Sequence, residues 1–189
     1  GRLFLWISLS SLDRLGHKFG PYSLEVIDMI YHLDEQLKNF MEYAQDRVGA
    51  ENVLFVLTAD HGVAPIPEIL ENSGYSTAKR LDSKKFIFDL NESIQAKFAI
   101  PNLLKDFRTN QFYFDKTVFN TQNKEQKKAI INDIKEHLLK YPAIKNCWTQ
   151  EELLKIKYAK NYYEQLYKNQ LYKARSGDLI VMPHPYCSI

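Results

Sequence analysis

Apolar residues along this chain come in two textures. Near the start they form continuous runs, Leu3 to Ser8 (Leu-Phe-Leu-Trp-Ile-Ser) and Val53 to Leu57. Short unbroken runs of this kind suit strands buried on both faces. Between them Val26, Ile30, Leu33, Leu37, Phe40 and Ala44 recur at steps of three and four. That spacing draws one apolar stripe on a helix from about Ser23 to Arg47, with Ser23 as N-cap and Gly49 as stop. Ser10 to Pro21, which holds Gly16, Gly20 and Pro21, reads as a loop. Strand, long helix, strand is a βαβ crossover, so the two strands are expected to run parallel.

After Pro65 and Pro67 the pattern changes. Asp82 to Phe98 reads as a helix through Phe86, Leu90, Ile94 and Phe98. Gln111 to Val118 alternates aromatic residues with others, as a strand does. Glu125 to Lys140 is amphipathic through Ala129, Ile130, Ile134 and Leu138. Ile144 to Trp148 suits a strand, Glu151 to Tyr172 a helix, and Leu179 to Met182 a last strand. The expected fold is α/β, with a mainly parallel central sheet flanked by helices and an inserted α+β cap. Residues 1–81 would belong to the core, 82–175 to the cap, and 176–189 to a strand returning to the core.

Composition narrows the class without naming a function. The chain has 189 residues, is 45% hydrophobic and 25% charged, and carries a net charge of +2. That balance gives no electrostatic reason to expect a nucleic-acid polymer or an anionic membrane as partner. The many aromatic residues argue for a packed fold. Leu3 to Leu9 is far too short to span a bilayer, and the N-terminus has none of the regions of a signal peptide. Cys147 and Cys187 are not spaced as metal ligands, and whether they pair is left open.

The chemistry concentrates in two clusters, Asp13-Arg14-Leu15-Gly16-His17 and Thr58-Ala59-Asp60-His61-Gly62. Each sets an Asp and a His beside a Gly, after an apolar run. Carboxylate and imidazole are ligands for a borderline cation such as zinc. At the carboxyl ends of parallel strands they would lie where open α/β sheets bind ligands. One such pair alone is more often a turn with a satisfied hydrogen bond. Two, at matching places in one βαβ unit, point to a two-metal site. Asp13 and His17 would share a face if helical, although Gly16 and Gly20 favour a loop that curls them together. Ser10, Ser11 and Thr58 read as ordinary strand-end residues. His32 and His137 read as structural or solvated helix residues. Lys155 to Arg175 interleaves Tyr158, Tyr162, Tyr163, Tyr167 and Tyr172 with basic residues. A helix packing its tyrosines on the cap is favoured there over a single-strand binding surface.

The segment Ser10-Ser11-Leu12-Asp13-Arg14-Leu15-Gly16-His17-Lys18-Phe19-Gly20-Pro21, then a long helix, then Leu57-Thr58-Ala59-Asp60-His61-Gly62-Val63-Ala64, resembles the alkaline phosphatase superfamily. It is closest to the type I phosphodiesterase/nucleotide pyrophosphatase branch and, within that branch, to bacterial phosphate-irrepressible alkaline phosphatases. The resemblance is sharp over residues 3 to 68. It implies two zinc ions (Zn2+), one held by Asp13 and His17 with a further His. Asp60 and His61 would hold the other, with an Asp and the Thr or Ser nucleophile.

In that family the nucleophile lies upstream of the matched part, and the further His lies downstream in a Thr-His-Gly context. His184, in Pro183-His184-Pro185, does not match that context. The resemblance therefore implies the middle of a longer enzyme, inactive by itself, with its catalytic nucleophile outside these residues. It also implies hydrolysis of a small phosphorylated substrate through a covalent phospho-enzyme, in the periplasm or outside the cell. Diester or pyrophosphate cleavage is the alternative on the same machinery. A non-catalytic metal-binding relic is the alternative of another class.

Overall fold

A computed structural model describes residues 2–173 and 175–189. The chain forms two compact units, residues 1–69 and 70–189.

The first unit is built on two helices, α1 (Ser11–Phe19) and α2 (Leu24–Val48). The segment read as a loop is thus largely helical. Gly16 sits mid-helix with open space around it, a placement that costs only about 1 kcal/mol relative to Ala. The helix ends at Gly20, whose φ of 93° suits glycine. The α2 boundaries follow the expected caps. The Ser23 side chain accepts a hydrogen bond from the Val26 N–H, and Gly49 closes the helix. A short 3-10 turn, Ala50–Asn52, follows.

The two apolar runs differ from expectation, because neither 3–8 nor 53–57 forms a strand among the described residues. A parallel strand exists only through ladder partners, and none is formed here. Leu3 is 91% and Leu54 87% exposed. The α/β character stands, but the sheet that forms is antiparallel and lies in the second unit.

Helix α3 (Pro67–Asn72) straddles the division between units. The second unit has helices α4 (Ser83–Phe98), α5 (Lys116–Phe119), α6 (Lys124–Leu138), α7 (Gln150–Lys155) and α8 (Tyr162–Asn169). Its strands are β1 (Leu104–Arg108), β2 (Gln111–Phe114), β3 (Ile144–Thr149) and β4 (Leu179–Pro183), in the order β1-β2-β4-β3. All neighbours are antiparallel. Thr109 and Asn110, with φ of 47° and 60°, join β1 to β2. A two-residue turn with both φ positive matches the twist of a hairpin. Strand β4 follows the end of the expected cap and pairs inside the sheet of the second unit. It is an inner strand here, pairing with β2 and β3.

The sheet is covered on both faces. Phe86, Leu90 and Ile94 of α4 join Ile130, Ile134 and Leu138 of α6 in one core with Phe112, Cys147, Leu179 and Val181. Trp148, Leu153, Ile180 and Met182 form a second cluster, backed by Ile156, Tyr167 and Leu171. Along β4 successive side chains therefore enter opposite cores, as the two-residue period of a strand demands. Full burial of each such aliphatic side chain contributes about 1.5–3 kcal/mol.

The stretch 151–172 is not one helix. Lys155 ends α7, and the Asn161 side chain caps α8 afresh by accepting the Glu164 N–H. Tyr167 packs on Trp148, with ring centroids 5.7 Å apart. The other tyrosines of this stretch (158, 162, 163 and 172) are exposed, so the expected packing of all five on the cap is corrected.

Candidate metal centre

Helix α1 places Asp13 and His17 one turn apart on one face, with His17 Nε2 3.5 Å from Asp13 Oδ1. Asp60 and His61 follow the second apolar run in a turn. There the Asp60 carboxylate accepts the His61 backbone N–H at 3.1 Å, which curls the two side chains toward the same side. His61 Nε2 lies 3.5 Å from Asp60 Oδ2 and 3.8 Å from Asp13 Oδ1. All four side chains, from segments more than forty residues apart, thus form one connected set centred on Asp13 and His61. Among the described residues, no three His, Cys, Asp or Glu are gathered so as to hold a single metal ion.

The distances have chemical meaning. Nitrogen and oxygen 3.5–3.8 Å apart are beyond a good hydrogen bond. Two ligands about 2.0–2.1 Å from one tetrahedral ion sit about 3.3 Å apart, which is near what the Asp13–His17 and Asp60–His61 pairs show.

The tautomer of His61 also follows from geometry. Its Nδ1 lies 2.9 Å from the Gly62 carbonyl. A carbonyl only accepts, so Nδ1 carries the proton and Nε2 presents its lone pair toward the carboxylates. A ring held through its other nitrogen in this way is the usual orientation of a metal-binding histidine. The Gly62 carbonyl, and after it the Asp60 and Asp13 carboxylates, hold the His61 pKa above its ordinary value. Each pair brings together one carboxylate and one imidazole, the residue types that suit a borderline divalent cation. The exposure of Asp60 (89%) and His17 (80%) leaves room for further ligands.

The scaffold beneath the set is specific. Gly20 is buried, and a Cβ there would stand 2.9 Å from Ile66 Cδ1. The turn after Asp13 and His17 is thereby packed against the segment five residues past His61. The Thr58 hydroxyl donates to the neighbouring Ala59 carbonyl at 3.4 Å, and Ser10 makes no side-chain cap of α1 among the described residues. Both behave as ordinary backbone-turn residues. His32 faces Asp28 on α2 at 3.6 Å, and His137 lies beside the Tyr141 ring. His184 belongs to the second unit, where its N–H donates to the Ala143 carbonyl at 2.8 Å.

Among the described residues no helix is long and apolar enough to cross a membrane. Cys147, which is buried, and Cys187 are both free thiols.

Similarity to known proteins gives the family. The chain is 34% identical over 136 residues to a protein named calcium-transporting ATPase from Myroides odoratus, covering 70% of this chain and 24% of that one. It is 30% identical over 186 residues to alkaline phosphatase PhoD of Zymomonas mobilis, covering 96% and 32%. To alkaline phosphatase PafA of Elizabethkingia meningoseptica it is 27% identical over 187 residues, covering 95% and 32%. The crystal structure of wild-type PafA superposes with a TM-score of 0.80 at 24% identity, over 95% of this chain and 33% of that one, so the fold is shared. The chain thus spans between a quarter and a third of the length of these relatives. The model of the type I phosphodiesterase/nucleotide pyrophosphatase family matches residues 3–189, and the chain belongs to that family.

Proposed function

We propose that the complete protein is a zinc-dependent phosphatase that hydrolyses small phosphate monoesters. The observation that carries the reading is the linked set Asp13–His17 and Asp60–His61, with Asp13 3.8 Å from His61. Asp13 and His17 would hold one ion and Asp60 and His61 the other. When bound, two such ions supply charge neutralisation and activation of a nucleophile, which is most of what phosphoryl transfer needs.

The part played by these residues is positioning. Gly62 fixes the His61 ring through Nδ1, Asp60 orders the turn by accepting the His61 N–H, and α1 keeps Asp13 and His17 in register. The remaining ligands and the Thr or Ser that becomes phosphorylated would lie outside these 189 residues. Alkaline phosphatases among the relatives favour the monoester. The family's own description favours diesters and pyrophosphates as the second reading. A site serving extracellular or periplasmic substrates is part of the same proposal.

Rates on p-nitrophenyl phosphate and bis(p-nitrophenyl) phosphate, measured side by side on the complete protein, test the reading. A higher kcat/KM for the monoester supports it. A higher value for the diester replaces it with the second reading, and no zinc-dependent turnover of either supports a relic.

A further inference from the structure

The second unit holds an open cleft of about 420 Å³ between β3, α7 and the start of α8. The volume lies within the range that takes a small organic ligand. Its polar groups are unbalanced in a particular way. Both carboxylates in its wall already have donors from the protein. Glu152 receives Lys135 Nζ on its two oxygens, at 2.8 and 2.9 Å, and the Thr149 N–H on one of them. Glu164, only 6% exposed, accepts the Lys160 N–H.

The donors are left over. Among the described residues neither Lys157 nor Lys160 has a carboxylate within ion-pair distance. The Asn146 oxygen is taken by the Cys147 N–H, at 2.8 Å, so its amide NH2 is what remains to offer. The apolar part of the wall is aromatic. It comprises Trp148, backed by Tyr167, and Tyr158, whose ring carries the Lys157 ammonium 5.4 Å from its centroid.

Spare cations and amide donors beside flat rings match one ligand chemistry, an anionic group carried on a planar ring. We propose that this cleft binds a small aryl anion of the phosphate or phosphonate type, with Lys157 and Lys160 meeting the anion and Trp148 and Tyr158 the ring. The inference goes beyond the hydrolytic reading and does not depend on it.

Trp148 gives a local probe. In the 189-residue chain the other tryptophan, Trp6, is 73% exposed and can be replaced as Trp6→Phe. In that background, phenylphosphonate, which the hydrolytic chemistry cannot cleave, is titrated against Trp148 fluorescence. A saturable change is expected, weakened severalfold in Lys157→Gln/Lys160→Gln, because two exposed ion pairs are lost. Inorganic phosphate and benzyl alcohol, each carrying half of the recognised chemistry, are expected to bind much more weakly. Tyr158→Ala gives a second, uncharged test and is also expected to weaken binding. The absence of a saturable change overturns the proposal. So does a lysine double variant that titrates like its parent with unchanged circular dichroism, or inorganic phosphate binding as tightly as phenylphosphonate.

Discussion

Gly177→Ala is expected to destabilise the second unit by about 2–3 kcal/mol. Gly177 is buried where the chain passes over β2. A Cβ there would stand 2.7 Å from the Phe112 carbonyl oxygen and 2.8 Å from Gln111 Cβ. Ordinary contacts between carbon atoms are about 3.5–4.0 Å, so residues 177–178 must lift away from the strand by several tenths of an ångström or more. Neither obstacle can swing aside, since one is backbone and the other is anchored to it. Two hydrogen bonds resist the lift. The Gly177 N–H donates to Gln111 Oε1 at 2.7 Å, and the Asp178 N–H to the Phe112 carbonyl at 2.8 Å. A buried donor left without its acceptor costs about 1–3 kcal/mol. The lower entropy of the unfolded alanine chain returns about 0.4–1 kcal/mol.

Urea unfolding followed by Trp148 fluorescence reads this unit, and with a slope of about 1–3 kcal/mol/M the midpoint should fall by about 1–2 M. Gly74→Ala, at φ 99° with open space around it, isolates backbone strain from collision. It should cost less, about 1–2 kcal/mol. A Gly177→Ala midpoint equal to that of the parent would refute the reasoning.

Further outcomes follow from the same geometry. In the complete protein, Asp60→Ala or His17→Ala should lower kcat/KM by more than about 100-fold, since outer partners of metal ligands alone are worth about 10–100-fold; unchanged rates at saturating zinc would contradict the assignment. The 189-residue chain by itself should hydrolyse p-nitrophenyl phosphate no faster than a chelated control, because it offers two donors per ion; robust zinc-dependent turnover would contradict that. Burial pushes the Cys147 thiol up to about 11, so a disulfide reagent at pH 8 should label Cys187 first and Cys147 only on unfolding. Thr117, and after it Lys105, hold the Asp115 carboxyl down at about 2. Its contribution to stability is therefore complete above the ordinary carboxylate pKa and lost as pH falls through about 2. Asp115→Asn should flatten the acid limb of a stability–pH curve between about pH 4 and 2, and an unaltered limb would remove this group from the account.

Much of the fold was legible wherever period and cap agreed. Helix α2 announces itself by its apolar stripe, Ser23 and Gly49, and α4 by Phe86, Leu90, Ile94 and Phe98; the Asp82 side chain that caps α4 is seen only in the structure. The failures have local causes. Helix α1 was hidden because Gly16 reads as a breaker, although one exposed glycine is a small cost. Strand β1 was hidden because Lys105, Asp106 and Arg108 interrupt its apolar pattern. Its hairpin turn, Thr109–Asn110, and the Asn91 side chain that bonds both N–H and C=O of Leu104 at 2.8 and 2.9 Å mark it only in three dimensions. Leu3 to Ser8 and Val53 to Leu57 carry the composition of buried strands, but strands depend on neighbours and composition does not provide them. For the candidate site, the expected convergence of Asp13, His17, Asp60 and His61 rested on matching positions in a βαβ unit, and the contacts form from helix α1 and a turn instead. The particular contact, Asp13 to His61 at 3.8 Å, is set by how α1 and the turn after residue 57 meet.

Zinc stoichiometry of the complete protein shows whether the two Asp–His pairs hold divalent cations. About two equivalents per chain are expected, falling to one or fewer in both Asp13→Ala and His61→Ala. Full zinc content retained in both variants would contradict that role.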